Sequence, residues 1–336
     1  MLSSWSKKPG RRDKMPRQAR LDAPGTLHHV IVRGIEKRRI VDDVADRKNF
    51  VSRLGKLAET TQTHIYAWAL LSNHAHILLR SSEIGLSAFM RRLLTGYAIF
   101  YNRRHRRWGH LFQNRYKSII CDEDAYFTEL VRYIHLNPLR AGLVKSLAQL
   151  DGYRWSGHGA IMGKIKYEWQ NRNYVLKRFG KRQGEAKRAY RTYVMKGIKQ
   201  GHRPELVGGG LIRSLGGWSA VKAMRRTGDR ELSDDRILGS GEFVERIIKE
   251  AETKIQYQLP DLEHHHKIRK LITGICQDAN LSPEELKAGS RRTEISRVRA
   301  LIAIELVETH GVALAEAARQ LGVSTSAISK IIKRAG

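Results

Sequence analysis

Residues 63–80 read THIYAWALLSNHAHILLR, and this stretch decides the fold. Thr63 to Leu71 and His74 to Arg80 are apolar and β-prone, with Ser72-Asn73 between them. That pattern predicts two strands joined by a tight turn. Upstream, Leu27 to Arg33 (LHHVIVR) is β-branched and closed by Gly34, which predicts a third strand. Asp43 to Thr60 carries Val44, Phe50, Val51, Leu54 and Leu57 at helical spacing. Downstream, Leu86 to Arg103 predicts an amphipathic helix and Tyr116 to Cys121 (YKSIIC) a short strand. Asp122, Glu123 and Asp124 favour a helix start, and Pro138 is expected to stop that helix after Asn137. The order is β-α-β-β-α-β-α. Its first six elements form the split βαβ, ferredoxin-like arrangement of an α+β protein, with one helix added.

The 336 residues include 62 Lys+Arg against 33 Asp+Glu, a formal net charge of +29. Hydrophobic residues make up 41%, so the chain is globular and not a basic disordered tail. A charge this large points to a polyanionic partner, nucleic acid before a membrane surface. Two cysteines, Cys121 and Cys276, exclude a disulfide framework and a zinc site built on paired cysteines. They fit a cytoplasmic protein. No apolar run approaches the roughly 20 residues that span a bilayer, so no membrane partner is expected.

Four segments follow. Residues 1–22 form a basic arm (Lys7, Lys8, Arg11, Arg12, Lys14), and 23–150 hold the ferredoxin-like unit. Residues 151–241 are a basic, aromatic extension and linker, with Tyr153, Trp155, Tyr167 and Trp169 among its rings and a loop expected over 228–241. Residues 242–336 are mostly helical by periodicity.

His74 and His76 flank Ala75 within a strand, so both imidazoles point to one face and Ala75 to the other. Two imidazoles on one face can hold a divalent ion. The spacing alone is weak. With 14 His in 336 residues it is expected by chance about 0.6 times, and His264-His265-His266 supplies another case. A nucleic-acid partner makes tyrosine a candidate nucleophile for a phosphodiester. On a helix, a residue four positions on shares its face and can complete a metal site. Of 12 tyrosines, three have a carboxamide or carboxylate there: Tyr133 with Asn137, Tyr167 with Asn171, and Tyr257 with Asp261. Pro260 breaks the last, and Tyr167 lies on no clear helical face. Tyr133 and Asn137 remain, on the helix after the last strand. The plain alternatives are a tyrosine packed on the sheet and an Asn-Pro helix end.

Leu71 to Leu79 (LSNHAHILL) resembles the metal-binding strand of IS200-like single-tyrosine transposases. Arg132 to Val144 (RYIHLNPLRAGLV) resembles the catalytic helix of their REP-associated branch, and Trp108 to Ser118 (WGHLFQNRYKS) the stretch before it. The resemblance covers roughly residues 15–145. It implies that His74 and His76 are metal ligands, that Asn137 completes the site, and that Tyr133 is the nucleophile. It further implies a Mg²⁺ or Mn²⁺ ion, a 5′-phosphotyrosine intermediate with a free 3′-hydroxyl, and single-stranded hairpin or palindromic DNA as substrate. Arg103, Arg104, Arg106, Arg107, Arg115 and Lys117 are then candidate phosphate contacts. Ala75 is a small version of the usual hydrophobe.

Leu314 to Lys330 (LAEAARQLGVSTSAISK) reads as a helix-turn-helix, with Gly322 at the turn and Ser324 as cap. Its second helix would present Ser326, Ala327, Lys330 and Lys333 to duplex DNA. The region is similar to the DNA-binding domain of DnaA-type initiators, without the Gly-rich ATP loop. A monomer or homodimer is expected. Two rival readings stand beside the transposase: a non-catalytic DNA-binding regulator that retains a decayed fold, and a replication-initiation or relaxase-type nicking enzyme.

Overall fold

The hairpin forms as β2 (His64–Leu70) and β3 (His74–Arg80), paired antiparallel from His64 with Arg80 to Leu70 with Ala75. On the other side β3 pairs antiparallel with β1 (Leu27–Arg33), which sets Ile31 opposite His76 and Arg33 opposite His74. β4 (Lys117–Cys121) adds to β1, and the sheet runs β2-β3-β1-β4-β5. The order of the first four strands is the ferredoxin-like one. The computed structural model describes residue 21 and residues 24–335, apart from 202, 209–231, 258–261, 289, 291, 311 and 313. The basic arm expected at 1–22 thus lies outside the described residues, save Leu21.

Alternation along the strands divides the core into two layers. Val30, Val32, Ala75, Ile77 and Leu79 face α1 (Val44–Thr60) and α2 (Gly85–Arg104). Leu27, Leu78 and Ile119 face α3 (Glu123–Arg140). A register shift between Ile65 and Ala67 lets β2 serve both layers: Tyr66, Ala67 and Ala69 face α3, while Ile65, Trp68 and Leu70 face α1. Position 34, just past β1, requires glycine because a Cβ there would lie 2.0 Å from the Arg38 carbonyl oxygen.

α3 does not stop at Asn137. Pro138 lies inside it, and the helix runs on to Arg140. A proline leaves the carbonyl four residues back without its donor. Here Asn137 Nδ2 donates to that carbonyl, of Ile134, at 3.4 Å, and to the Tyr133 carbonyl at 3.1 Å. The side chain thus replaces the missing amide.

The described part of the extension is more regular than its sequence pattern. After α4 (Leu147–Asp151), at the end of the preceding segment, this part folds into α5 (His158–Met162), α6 (Arg172–Lys177) and α7 (Gln183–Lys196), the first two too short to show a helical period. Ile161, Val175, Tyr190, Val194 and Leu206 join the core beneath α3. The stretch 155–171 also seals the outer edge of β2, through Leu70 N–H to the Trp155 carbonyl at 2.9 Å and Asn171 N–H to that of Ile65 at 2.8 Å. Of the loop expected over 228–241, the described part contains a short strand, β5 (Ile237–Leu238), parallel to β4. Its two residues are too few for any periodicity, and the sheet edge recruits them.

A third core is helical. Ile268, Ile272, Ile295, Ile302, Leu306, Leu321, Ile328 and Ile332 assemble the C-terminal helices, among them Leu314–Gln320 and Thr325–Ala335. Gly322 turns between those two with φ +64, and a Cβ there would meet the Lys287 carbonyl oxygen at 2.3 Å. This unit rests on α2: Ile99 packs against its core, and Arg92 Nε donates to the His310 carbonyl at 3.2 Å.

A buried polar chain ties α3 to the extension. Asp151 accepts from His158 Nε2 at 2.9 Å, so His158 Nδ1 is the acceptor for the Tyr190 hydroxyl at 2.8 Å. That oxygen in turn accepts from His135 Nδ1 at 2.7 Å. Tyr190→Phe should strand both imidazoles and cost about 1–3 kcal/mol in chemical denaturation. Burial holds the pKa of His135 and His158 below the ordinary value. The unfolded chain therefore takes up more protons than the folded one as pH falls below about 6.5. Stability should be full above that pH and decline on acidification toward the folded values, read as a falling denaturation midpoint.

Candidate functional site

β3 sets His74 and His76 side by side on the α3 face, ring centroids 5.2 Å apart and nearly perpendicular. Ala75 is buried on the opposite face, as alternation requires. α3 crosses above them and brings Tyr133 down, its ring 5.8 Å from His76. Asn137 follows one turn later, 8% exposed, with Tyr133 at 5% and His76 at 4%. The structure therefore gathers His74, His76, Tyr133 and Asn137 at one place.

It adds a residue that sequence reasoning passed over. His29 on β1 lies diagonal to His76, with Nε2 to His76 Nδ1 at 2.9 Å and rings stacked at 5.2 Å. Its Nδ1 lies 2.9 Å from the Leu206 carbonyl oxygen, which can only accept. His29 Nδ1 therefore carries the proton and Nε2 is bare. His76 Nδ1 must then donate to His29, which leaves His76 Nε2 as a free lone pair. His74 reaches the same state, since its Nδ1 lies 2.7 Å from Asn73 Oδ1. An amide oxygen facing that nitrogen makes it the donor. Burial pushes His29 and His74 down to about 4, against the Leu206 hydrogen bond for His29 and helped by Arg33 for His74. Neutral imidazoles with oriented lone pairs are what metal ligation needs. The signal for His29 was strand parity. Of the pair His28-His29, only the second shares a face with Ile31 and the β3 histidines. His28 bonds Ser118 Oγ at 3.0 Å on the other side.

The donor set fits a divalent ion. Two imidazole lone pairs stand together, and Asn137, whose Nδ2 is spent on the helix, keeps Oδ1 as a hard oxygen donor. His74, His76 and Asn137 would hold the ion.

Charge around Tyr133 is mixed. Burial raises its pKa, while Arg140 and Arg33 lower it and Glu205 adds to the rise. The Arg140 guanidinium lies 5.3 Å from the ring centroid. Lys117 stands on the next strand, where Ile31 faces it on one side and His76 on the other. Its Nζ donates to the Val207 carbonyl at 2.6 Å.

The other expected phosphate contacts spread out. Arg103, Arg106 and Arg115 are exposed. Arg107 lies 5.7 Å from the Tyr101 ring. Arg104 is held by Asp43 at 2.5 Å and Asp46 at 2.9 Å, bracing α2 against the start of α1. The loop carrying Arg106 to Arg115 returns beside the site: Gln113 N–H donates to the Arg33 carbonyl at 2.8 Å, next to His74. Asp42, Asp46 and His105 also cluster, but Asp46 already accepts from Arg104, from His105 at 2.9 Å and from the Asp42 amide. It is an ion-pair hub of the fold. Ser326 and Lys330 are exposed on the last helix; Lys333 lies on the same helix, with its side chain outside the described residues.

Residues 25–137 match the family described as Transposase IS200 like. A solved structure described as a REP-associated tyrosine transposase bound to a REP hairpin is similar at 16% identity and a TM-score of 0.37, over 47% of this chain and 92% of the other. No curated protein sequence matches significantly. No described helix is long and apolar enough to cross a membrane.

His29→Ala should release the tautomer of His76 and lower Mn²⁺ affinity by about 10–100-fold in titration calorimetry, with the far-ultraviolet spectrum unchanged.

Proposed function

We propose that this chain is a metal-dependent DNA transposase of the REP-associated type, which cleaves and rejoins single-stranded hairpin DNA through Tyr133. One observation carries the reading: His74, His76, Tyr133 and Asn137 converge on one face, with both imidazoles presenting Nε2. A bound Mg²⁺ or Mn²⁺ would polarise the scissile phosphate and offset charge in its transition state.

The chain's own groups do the rest. The Tyr133 Oη attacks phosphorus and loses its proton; the bond from phosphorus to the 3′-oxygen breaks. The products are a 5′-phosphotyrosine and a 3′-hydroxyl. The link conserves bond energy, so the reverse attack by a 3′-hydroxyl rejoins DNA without a nucleotide cofactor. Burial, and more weakly Glu205, disfavour the phenolate, and Arg140 and Arg33 oppose that penalty. Lys117, Arg33, Arg103 at the end of α2 and the exposed Arg106 and Arg115 of the loop that follows supply countercharge for the strand.

The catalytic unit is followed by a DNA-binding unit in this reading. The helices Leu314–Gln320 and Thr325–Ala335, joined by the turn at Gly322, form a helix-turn-helix whose exposed Ser326 and Lys330 meet duplex DNA.

With a labelled hairpin and Mn²⁺, the wild-type chain should form an adduct that survives denaturing electrophoresis. Tyr133→Phe should form none, while still binding the hairpin. An adduct that persists in Tyr133→Phe sinks the assignment of the nucleophile.

A further inference from the structure

The extension builds a second feature, remote from Tyr133. Two adjoining hollows of about 800 and 650 Å³ lie on either side of the stretch 164–169, which is their common wall. Their rim is cationic. Lys48 comes from α1, Arg154 and Lys164 from the extension, and Lys187 from α7. The carboxylate among the described lining residues, Glu168, is neutralised by Lys166 at 2.7 Å. The walls are aromatic. Trp155, Tyr167 and Trp169 are each partly exposed, and the Tyr167 and Trp169 ring centroids lie 5.3 Å apart. All three pack on the layer shared with α1 and α2, the opposite side of the sheet from His76 and Tyr133.

Cations at a rim with ring faces between them match a phosphate backbone whose bases are free to stack. A duplex keeps its bases stacked on one another and has no use for the rings. We propose that this surface is a second binding site, for single-stranded DNA. On the transposase reading above, on which its use rests, the strand is a flank of the hairpin and not the scissile strand, because the sheet lies between.

The test is fluorescence anisotropy at low salt with two hairpins, one carrying an oligothymidylate tail and one blunt. The wild-type chain should bind the tailed form roughly tenfold tighter. Arg154→Glu/Lys164→Glu, two exposed changes, should erase that preference. A 5-iodouracil in the tail should crosslink to Trp155, Tyr167 or Trp169. Free oligothymidylate that crosslinks there in a chain unable to bind the hairpin supports the site and rejects only the hairpin substrate. No tail preference in the wild type, or an equal preference in the double variant, overturns the proposal. So does displacement of the tail from these aromatics by polyglutamate but not by excess oligothymidylate, which would assign the surface to an acidic protein segment.

Discussion

The site rests on the register of β3. This strand is paired on both sides, to β1 and to β2, and its two faces look into two different cores. Ala75, Ile77 and Leu79 fill one layer, so His74, His76 and Leu78 must enter the other. A slip of one residue would drive two imidazoles into the apolar layer beneath α1 and α2 and place Ala75 below Tyr133. Desolvating those rings without partners would be costly. Hydrophobic packing on the far side of the sheet therefore aims His74 and His76 on the near side.

A second dependence runs through hydrogen bonds. The state of His76 is set by His29, and that of His29 by a carbonyl of the extension. The extension also holds α3 through His135, Tyr190 and His158, and through Arg203 with Glu129. The height of Tyr133 above the sheet and the lone pairs of its neighbours are thus governed by the same segment. The large positive charge divides accordingly. Arg104, Arg178 and Arg203 are spent on carboxylates that tie elements together, while Arg132 and Arg236 pair with carboxylates three and two residues before them.

The βαββαβ core was legible because each of its elements is long enough to show a period and is punctuated by Gly, Asn or acidic caps. The His74/His76 face and the Tyr133/Asn137 spacing were legible for the same reason, since both are pure consequences of strand and helix geometry. Pro138 misled because the sequence does not reveal that Asn137 can stand in for a lost amide. His29 was hidden because its role depends on which strands neighbour β1. The extension was opaque because its helices are short and its ordering comes from contacts with α3 and the β2 edge. Arg104 read as a phosphate contact only because Asp43 and Asp46, some sixty residues earlier, could not be seen beside it.

The Leu206 carbonyl stands 177 residues after His29. Translation delivers β1, β3 and α3 well before it, at about 5–20 residues per second. A nascent chain that has completed Tyr133 thus holds its two imidazoles in an unfixed proton arrangement for several seconds. The last piece of this hydrogen-bonded cluster to be made is a backbone oxygen. The order of synthesis itself leaves the cluster of His29, His74 and His76 unset until the segment that fixes it has left the ribosome.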